Sequence, residues 1–437
     1  MEILKAGDKI KRLRKELGLK QDDITNAAVT RSLISMIENN KRTLSWQTAQ
    51  IIADCLNQYY KNAGKIITPQ FLMETEVDQA RNIINTQVKL IEASLLSQSI
   101  NSIHLYQSID RLMKLADEWN VEKEMADLLK LRGEIHYYDI QYNDALNDYF
   151  NALEYYLSVK DLEQVASIYR LIGMAYEKQG LLQQALMYYF KSNKVVIENN
   201  TTNKDTVMLS TIVNIIICYR KLKKYDMVFE YIKLFNNLPY YDDISYNEVL
   251  IMEANTYRDL KNYHQAEKIY DKLLLRVDRL DSNTLFRLYN NCGNLHRKKG
   301  NISQAIDYID EALKLEGKIR PPYLLDLYRE KAKCLILIKE YNKALSVLEK
   351  GLQIAEGVVA IESIIDYHLA LAEVYMLLRD FHNAKKHLEI SESLILGRNI
   401  KSKIHQLYSR YAELYCHLNQ QDLCLEYIIK LQVNRMS

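Results

Sequence analysis

The stretch that decides the fold is Ala254-Asn-Thr-Tyr-Arg-Asp-Leu-Lys-Asn-Tyr-His-Gln-Ala266. Its two small end residues lie twelve positions apart, with Tyr257 three places after the first and Tyr263 three places before the second. Small residues recur along the chain at the same offset, in pairs spaced 39 to 42 residues apart: Gly133/Ala145, Gly173/Ala185, Gly293/Ala305, Ala332/Ala344, Ala372/Ala384 and Ala412/Cys424, with Ile215/Met227 as an irregular member. This recurrence predicts a repeat array rather than one compact core.

The pattern within each repeat is typical of two antiparallel helices with small residues where their backbones come closest, and it resembles the tetratricopeptide repeat. The usual period of that repeat is about 34 residues. The period here is near 40, which implies helices almost one turn longer, as in bacterial peptide-pheromone receptors. We expect a right-handed all-α solenoid, with a degenerate unit over residues 74–118 preceding the regular pairs.

The first sixty residues have a different pattern of short amphipathic segments. Ile10, Leu13 and Leu17 give one helix an apolar side, which Gly18 ends. The positive residues of this segment are expected on its exposed sides: Lys9, Lys11, Arg12, Arg14 and Lys15. A basic patch of this kind is typical of a modest DNA-binding module, since residues 1–60 carry ten Lys/Arg against seven Asp/Glu, a net +3 in a chain of net charge +2.

Two further helices are predicted directly after this segment. Residues 21–28 start the first, with Ile24 and Ala27 or Ala28 pointing inward, and Val29 lies in a tight turn. Thr30 is a good N-cap for the next helix, whose apolar face is Leu33, Ile34 and Ile37. Two short helices joined by a tight turn make a helix-turn-helix arrangement.

Residues 5–57 closely resemble the Cro/repressor (XRE) family, through Ile10-Lys-Arg-Leu-Arg-Lys-Glu-Leu-Gly-Leu-Lys-Gln21, Thr30-Arg-Ser-Leu-Ile-Ser-Met-Ile-Glu-Asn-Asn-Lys-Arg42 and Ser45-Trp-Gln-Thr-Ala-Gln-Ile-Ile-Ala53. The resemblance implies a five-helix-type DNA-binding domain whose third helix enters the major groove. Arg31, Ser32 and Ser35 would then reach base edges, with Arg31 the best candidate to read guanine, and Thr30 would lie at the DNA beside them. Gln21, Lys41 and Arg42 would contact phosphates. Asn40 stands where the family usually has Gly, a mild departure because Asn tolerates a left-handed backbone.

The predicted domain order is a DNA-binding domain over residues 1–57, a linker over residues 58–73 and a repeat domain over residues 74–437 that senses a ligand and dimerises. Dimerisation is expected because one small head reads only a half-site, so the operator should be palindromic.

In a solenoid of this kind the first helix of each pair lines the concave side, and the places beside each small residue can be read from the sequence. The predicted groove residues are three Asn and several cations: Arg170, Asn255, Arg258, Arg287, Asn290, Asn294, Arg297, Arg329 and Lys333. Asparagine amides match the backbone groups of an extended peptide, while arginine can hold a terminal carboxylate. These residue types favour a short peptide as the ligand.

Other classes of protein are not supported by the sequence. There is no Gly-rich phosphate loop, H-E-x-x-H or G-x-S-x-G motif, so we expect neither an enzyme nor a cofactor. The six cysteines are scattered without a zinc-binding spacing, which predicts reduced core residues and no metal. The absence of a signal peptide or a long apolar stretch predicts a cytoplasmic protein without a membrane partner.

A repressor-type head followed by long tetratricopeptide repeats resembles the RRNPP family of Gram-positive quorum-sensing regulators. The resemblance implies a homodimeric transcription factor that responds to an imported signalling peptide. Two alternatives remain open. One is an adaptor or phosphatase like the Rap branch, which binds a response-regulator protein and can dephosphorylate it. The other is a repressor that responds to no peptide and uses its repeats to dimerise.

Overall fold

The computed structural model describes residues 2–60, 66–96, 102–238, 242–398 and 400–433, and every regular element in those ranges is helical. The chain divides into two compact units, one made of residues 1–138 with 143–161 and the other of residues 139–142 with 162–437. The predicted all-α fold class is therefore confirmed.

The amino-terminal head of the first unit contains four short α-helices and one 3-10 turn, Gln21–Ile24. The helices are α1 (Ala6–Glu16), α2 (Arg31–Glu38), α3 (Trp46–Tyr60) and α4 (Pro69–Met73). Ile10, Ile24, Ile34 and Leu56 are fully buried between them, because the apolar residues recur at helical spacing on one side of each helix.

The second helix predicted for the head is shorter in the structure. Only Gln21–Ile24 forms a turn of 3-10 helix, and Ala27 and Ala28, one of which was expected to point inward, are both exposed. The Asn26 side-chain oxygen accepts hydrogen bonds of 2.8 Å from the backbone N–H groups of Ala28 and Val29. Because this side chain organises a local turn, the helix stops early and Val29 becomes the buried residue.

In the segment predicted as a linker, residues 58–73, positions 61–65 lie outside the described residues, and the described ones contribute to the head. Helix α3 continues to Tyr60, and Ile67 and Leu72 are buried in the core of the head. The Asn57 side chain and the Ile67 backbone exchange two hydrogen bonds, of 2.8 and 2.7 Å. The described residues 66–73 are therefore attached to the head instead of running free between domains.

The first unit continues through α5 (Glu76–Leu96), α6 (Ser102–Glu118), α7 (Glu122–Tyr138) and α8 (Tyr142–Ser158). The second unit is a series of helix pairs. Its helices are α9 (Leu162–Lys178), α10 (Leu182–Asn199), α11 (Lys204–Lys221), α12 (Tyr225–Asn236), α13 (Asp243–Asp259), α14 (Tyr263–Leu274), α15 (Ser282–Lys299), α16 (Ile302–Leu313), α17 (Pro321–Leu337), α18 (Tyr341–Gly357), α19 (Ile361–Leu377), α20 (Phe381–Gly397), α21 (Ile404–His417) and α22 (Gln421–Val433).

Small residues lie where the two helices of a pair meet. A Cβ atom added to Gly173 on α9 would lie 2.5 Å from the buried ring of Tyr189 on α10, and one added to Gly293 on α15 would lie 2.8 Å from Ile309 on α16. No room for a methyl group exists at these distances, since normal contacts between carbon atoms are about 3.5–4.0 Å. The repeat offset read from the sequence therefore marks the closest approach of paired helices.

Four of the six cysteines are free thiols, as predicted. Burial raises the pKa of Cys218 to about 12 and that of Cys334 to about 11, so both thiols are protonated and unreactive near neutral pH. The prediction of reduced cysteines is wrong for Cys416 and Cys424, because a disulfide joins them and links α21 to α22. The helix turn brings these residues to a Cα separation of 5.6 Å, which a disulfide can span.

No helix within the described ranges is both long and apolar enough to span a lipid bilayer.

Gly173→Ala should destabilise the second unit by about 1–3 kcal/mol, because the new methyl group forces the α9–α10 pair apart. The change is measured as the midpoint of urea unfolding followed by circular dichroism. Gly357→Ala is the matched control, since no atom lies within 4 Å of the added Cβ. Equal midpoints for the two variants would contradict the close-approach interpretation.

Candidate functional site

A buried ion pair fixes α1, the 3-10 turn and α2 of the head to one another. Arg14 on α1 donates from Nε and Nη2 to the two carboxylate oxygens of Glu38 on α2, at 2.6 and 2.9 Å. Gln21 donates to the same carboxylate at 2.8 Å. Burial alone would raise the pKa of Glu38, but the hydrogen bonds from Arg14 and Gln21 outweigh it and hold that pKa below its usual value. Glu38 is therefore charged at neutral pH although its side chain is only 2% exposed.

The predicted N-terminus of the third helix is confirmed. Thr30 caps α2 by accepting a 3.3 Å hydrogen bond from the Leu33 backbone N–H. Arg31 and Ser32 follow in its exposed first turn, and Ser35 lies one turn later, partly exposed. Lys41 and Arg42 are exposed in the loop after α2. The predicted base-reading and phosphate-contacting side chains between Thr30 and Arg42 are therefore all at least partly exposed.

Two of the five positive residues assigned to the exposed side of α1 are buried instead. Lys9 is 4% exposed, and its ammonium donates 2.8 Å hydrogen bonds to the backbone oxygens of Phe71 and Glu74. Arg14 is held by Glu38 as described above. The basic surface of α1 is therefore limited to Lys11, Arg12 and Lys15.

Gln21, predicted to contact phosphate, is half-buried and donates a hydrogen bond from its side-chain amide to Glu38. Its side chain supports α2 within the head, an inward role that the resemblance did not indicate. No local pattern indicates this role, because Glu38 lies 17 positions away from Gln21.

The left-handed position expected at Asn40 is present, with φ of 54°. Its side chain donates to the Asp8 carboxylate at 3.0 Å. Gly7, which the sequence interpretation overlooked, lies so close that an added Cβ would be 1.9 Å from the Ile37 backbone oxygen. The turn after α2 is thus packed directly on the start of α1.

Removing the Glu38 charge should unfold the head selectively. Glu38→Gln leaves Arg14 buried without a counter-ion, a change that typically costs about 3–5 kcal/mol. We expect loss of hydrogen-exchange protection across α1 to α3 while α15 to α20 stay protected. Glu16→Gln is the control, because the Arg12–Glu16 pair is exposed and contributes little. Similar hydrogen-exchange protection in both variants would show that the buried Arg14–Glu38 pair does not hold the head together.

In the repeat array, five of the nine predicted groove residues are brought together. One cavity of about 290 Å³ lies among α13, α15 and α17. Its lining contains Arg258, Asn290, Asn294, Arg329 and Lys333 from the predicted set, with Asn291, Asp326 and Glu330 in addition. All of these residues are on the first helices of their pairs, as the tetratricopeptide pattern implies.

A second cavity of about 680 Å³ adjoins the first, since Arg329 and Lys333 line both. It also contains predicted Arg297, together with residues of α19 and α21. Ile336, Leu337 and Leu369 form part of an apolar wall. We call the surface that contains both cavities the inner face.

Four cations of the inner face have acidic partners on a neighbouring first helix: Arg297, Arg329, Lys403 and Arg410. Arg297 on α15 pairs with Glu330 on α17 at 2.9 Å, and Arg329 on α17 pairs with Asp366 on α19. Asp366 also binds Lys403, whereas Arg410 binds Glu373. Burial would raise the pKa of Glu330, but hydrogen bonds from Lys333 and Arg297 lower it overall, so the carboxylate stays charged.

These acids are the functional residues that the sequence interpretation missed. A signal existed, because the paired residues are separated by 33 to 37 positions, close to one repeat. Charges of opposite sign at that offset predict contacts between consecutive first helices. The groove is accordingly a ladder of ion pairs rather than a row of free cations.

The remaining predicted groove residues lie elsewhere. Asn255 is 3% exposed and accepts a 2.7 Å hydrogen bond from the Tyr270 hydroxyl, so it belongs to the core of its own repeat. Arg287 pairs with Glu248, and Arg170 on α9 donates to the Met174 sulfur at 3.1 Å. Neither lines the two cavities.

Two amide oxygens on the inner face lack a hydrogen-bond donor. Oδ1 of Asn290 and Oδ1 of Asn294 are buried, and no donor in the described part of the chain reaches them. Asn294 uses its amide nitrogen to donate to Glu330 at 3.3 Å, which fixes the orientation of its oxygen. Buried acceptors without donors are unusual, because leaving one unpaired costs about 1–3 kcal/mol.

The described residues contain no group of three or more side chains that could hold a metal ion.

Two sequence families match the chain. Residues 10–59 match the helix-turn-helix family, and residues 248–315 match the tetratricopeptide repeat family. No curated protein matches the chain as a whole.

Solved structures with a similar fold include the apo form of the quorum sensor NprR from B. thuringiensis. It is 18% identical, covers 81% of this chain and 99% of its own, and has a TM-score of 0.50. A Rap protein complexed with Competence and Sporulation Factor is 13% identical, covers 83% of this chain and 98% of its own, and has a TM-score of 0.51. NprR in complex with its cognate peptide NprX is 16% identical, with coverage of 81% and 100% and a TM-score of 0.46.

The chain thus combines a helix-turn-helix match near its start with a tetratricopeptide match further along. Its helix-turn-helix domain and its tetratricopeptide repeats follow in the order predicted from the sequence. The families that match are regulatory and repeat families, not enzyme families. A helix-turn-helix head and a repeat array are therefore present in one chain, and the inner face belongs to the array.

Proposed function

We propose that this protein is an RRNPP-type regulator: a cytoplasmic, sequence-specific transcription factor whose DNA binding is set by a short signalling peptide on its inner face. The observation that carries the proposal is the pair of donor-free amide oxygens of Asn290 and Asn294 on the wall of a cavity. A polar ligand that supplies two N–H groups would satisfy both. NprR is described as a quorum sensor, which accords with this function.

The spacing of these two oxygens suits an extended peptide. Asn290 and Asn294 are four positions apart on α15, so their backbones are separated by about 6 Å along the helix axis. Backbone N–H groups two residues apart in an extended chain lie about 6.6 Å apart on one side. Each amide can therefore accept one N–H of the same peptide, independently of its side chains.

The charges of the inner face favour a carboxylate at one end of the ligand. Six cations and four acids line the two cavities together, a balance of +2: Arg258, Arg297, Arg329, Lys333, Lys403 and Arg410 against Asp326, Glu330, Asp366 and Glu373. The larger cavity adds an apolar wall. A peptide whose carboxyl terminus and an apolar side chain enter this cavity would match both features.

On the DNA side, the exposed first turn of α2 supports base reading by Arg31 and Ser32, with Thr30 and Ser35 beside them. Lys41 and Arg42 supply charge for phosphate contacts. We propose a homodimer on a palindromic operator, since one head covers a half-site. The peptide would shift the regulator only by binding one arrangement of the dimer better than the other.

Arg31→Ala should lower the preference for the operator over a site with one altered base pair by about tenfold or more, since a bidentate arginine contact provides about 1–3 kcal/mol of discrimination. The double variant Lys41→Ala/Arg42→Ala should instead weaken binding to every duplex and reduce the salt slope by about 2. Fluorescence anisotropy with a selected operator at several salt concentrations measures both. A wild-type protein with no sequence preference would refute the proposed regulator.

Asn290→Leu should have opposite effects on the free and the bound protein. Removing a buried acceptor without a donor should raise the melting temperature of the free protein, while peptide affinity falls about tenfold because a net hydrogen bond of about 1.5 kcal/mol is lost. Random short synthetic peptides screened by thermal shift provide the ligand, and calorimetry gives its affinity.

Asn283→Leu is the matched control, since Asn283 is exposed at the start of the same helix. Peptide affinity unaffected by Asn290→Leu, or a screen without any hit, would count against peptide control of this protein.

A further inference from the structure

The carboxylate of Asp22 lies beside the side chain proposed to read guanine. Oδ2 of Asp22 is 3.3 Å from Nη1 of Arg31, and the two side chains are 58% and 68% exposed. Asp22 is in the 3-10 turn and Arg31 is the first residue of α2. The ion pair therefore bridges the two helical elements of the helix-turn-helix arrangement on its solvent side.

The neighbouring acid, Asp23, has a different structural role. Oδ2 of Asp23 accepts a 2.6 Å hydrogen bond from the Lys20 backbone N–H and so closes the first turn. In Asp22 the backbone oxygen accepts from the Thr25 hydroxyl at 2.7 Å, whereas its carboxylate points to Arg31. Turn formation thus uses the Asp23 side chain and leaves the Asp22 side chain for the guanidinium.

Stability does not account for the Asp22–Arg31 pair. Exposed ion pairs contribute little to folding, because water screens them and the side chains lose rotational freedom. An arginine that reads a base gains from such a partner in another way, since its planar group must be held in the right orientation to donate two parallel hydrogen bonds. A guanidinium has five N–H donors, so one can bind a carboxylate while two others face guanine O6 and N7.

The position of the carboxylate also disfavours a contact of Arg31 with phosphate. An arginine in the first turn of a recognition helix can bind either a base edge or the nearest phosphate. A negative charge at Asp22 repels the phosphate backbone and keeps the Arg31 guanidinium beside Asp22. The carboxylate should therefore weaken non-specific attachment of Arg31 and favour the contact with guanine.

We infer that Asp22 is a positioning residue that sets DNA specificity by orienting Arg31 toward guanine in the major groove. The inference rests on the proposed function, in which α2 reads the operator. It assigns to Asp22 an effect on discrimination and not on overall affinity.

The test uses full-length protein with Asp22→Asn, Arg31→Ala and the double variant. Asp54→Asn serves as the charge-matched control, because Asp54 is an exposed acid on α3 of the same head. An operator is first selected from random duplexes with the wild-type protein. Anisotropy then gives affinities for that operator, for a set with each guanine–cytosine pair replaced, and for an unrelated duplex, at two salt concentrations.

We expect Asp22→Asn to reduce discrimination at one guanine–cytosine pair by about three- to tenfold, part of the full arginine contact. Binding to the unrelated duplex should be unchanged or tighter. In the Arg31→Ala background the same substitution should leave discrimination at that pair unchanged, and Asp54→Asn should leave it unchanged in both backgrounds.

Two outcomes overturn the inference while the proposed function stands. One is an equal change of affinity for all duplexes in Asp22→Asn and Asp54→Asn, which would reduce Asp22 to a general charge effect. The other is a loss of discrimination by Asp22→Asn that persists without Arg31. A wild-type protein without sequence preference would overturn the proposed function itself. Unchanged hydrogen-exchange protection of α1 to α3 verifies that the head is folded in each variant.

Discussion

The close approach of two helices within each repeat is the constraint on which the array depends. Where Gly173 meets the ring of Tyr189, the backbone of α9 is near enough that even a methyl group has no space. Such contact allows little sliding or rotation of the paired helices, because side chains in a close-packed interior interlock. Each first helix therefore keeps one face in a fixed direction, and consecutive first helices from α13 to α21 together build the inner face.

Charges on that face follow from its construction. Each first helix has the preceding first helix on one flank and the following one on the other, so a cation in one repeat can bind an acid in the next. Arg297 with Glu330 and Arg329 with Asp366 are examples. Partly buried charges of this kind need partners, because an unpaired one would lose its hydration without compensation. The ladder keeps the inner face polar and charged while leaving the oxygens of Asn290 and Asn294 without donors.

The head is held together by a different device, a buried bidentate ion pair between Arg14 and Glu38. The described residues after α3 are fastened to it as well. Lys9 binds the backbone at the end of α4, and the Gln79 side chain on α5 exchanges hydrogen bonds of 3.1 and 2.7 Å with the Leu4 backbone. Consequently the start of α5 is fixed to the head, and a movement of this part of α5 would carry the segment before α1 with it.

The sequence by itself determined the helical class, the order of head and repeats, the cap at Thr30 and the small-residue positions. Each of these is a local or periodic property, fixed by backbone sterics, helix-end hydrogen bonding and the spacing of apolar residues. It also identified Asn290, Asn294 and Arg329 as groove residues, since the repeat register alone fixes which face of a first helix they occupy.

Tertiary structure decided which polar and charged side chains are exposed and which are buried. Lys9 and Arg14 look like surface residues in the sequence, and Asn255 has the same register as Asn294, yet all three are buried. Their burial depends on partners up to 65 positions away: Glu74 for Lys9, Glu38 for Arg14 and Tyr270 for Asn255. Periodicity tells which way a side chain points along its own helix. What it meets there is set by the packing of other helices, because electrostatic and hydrogen-bond partners are chosen by distance in space.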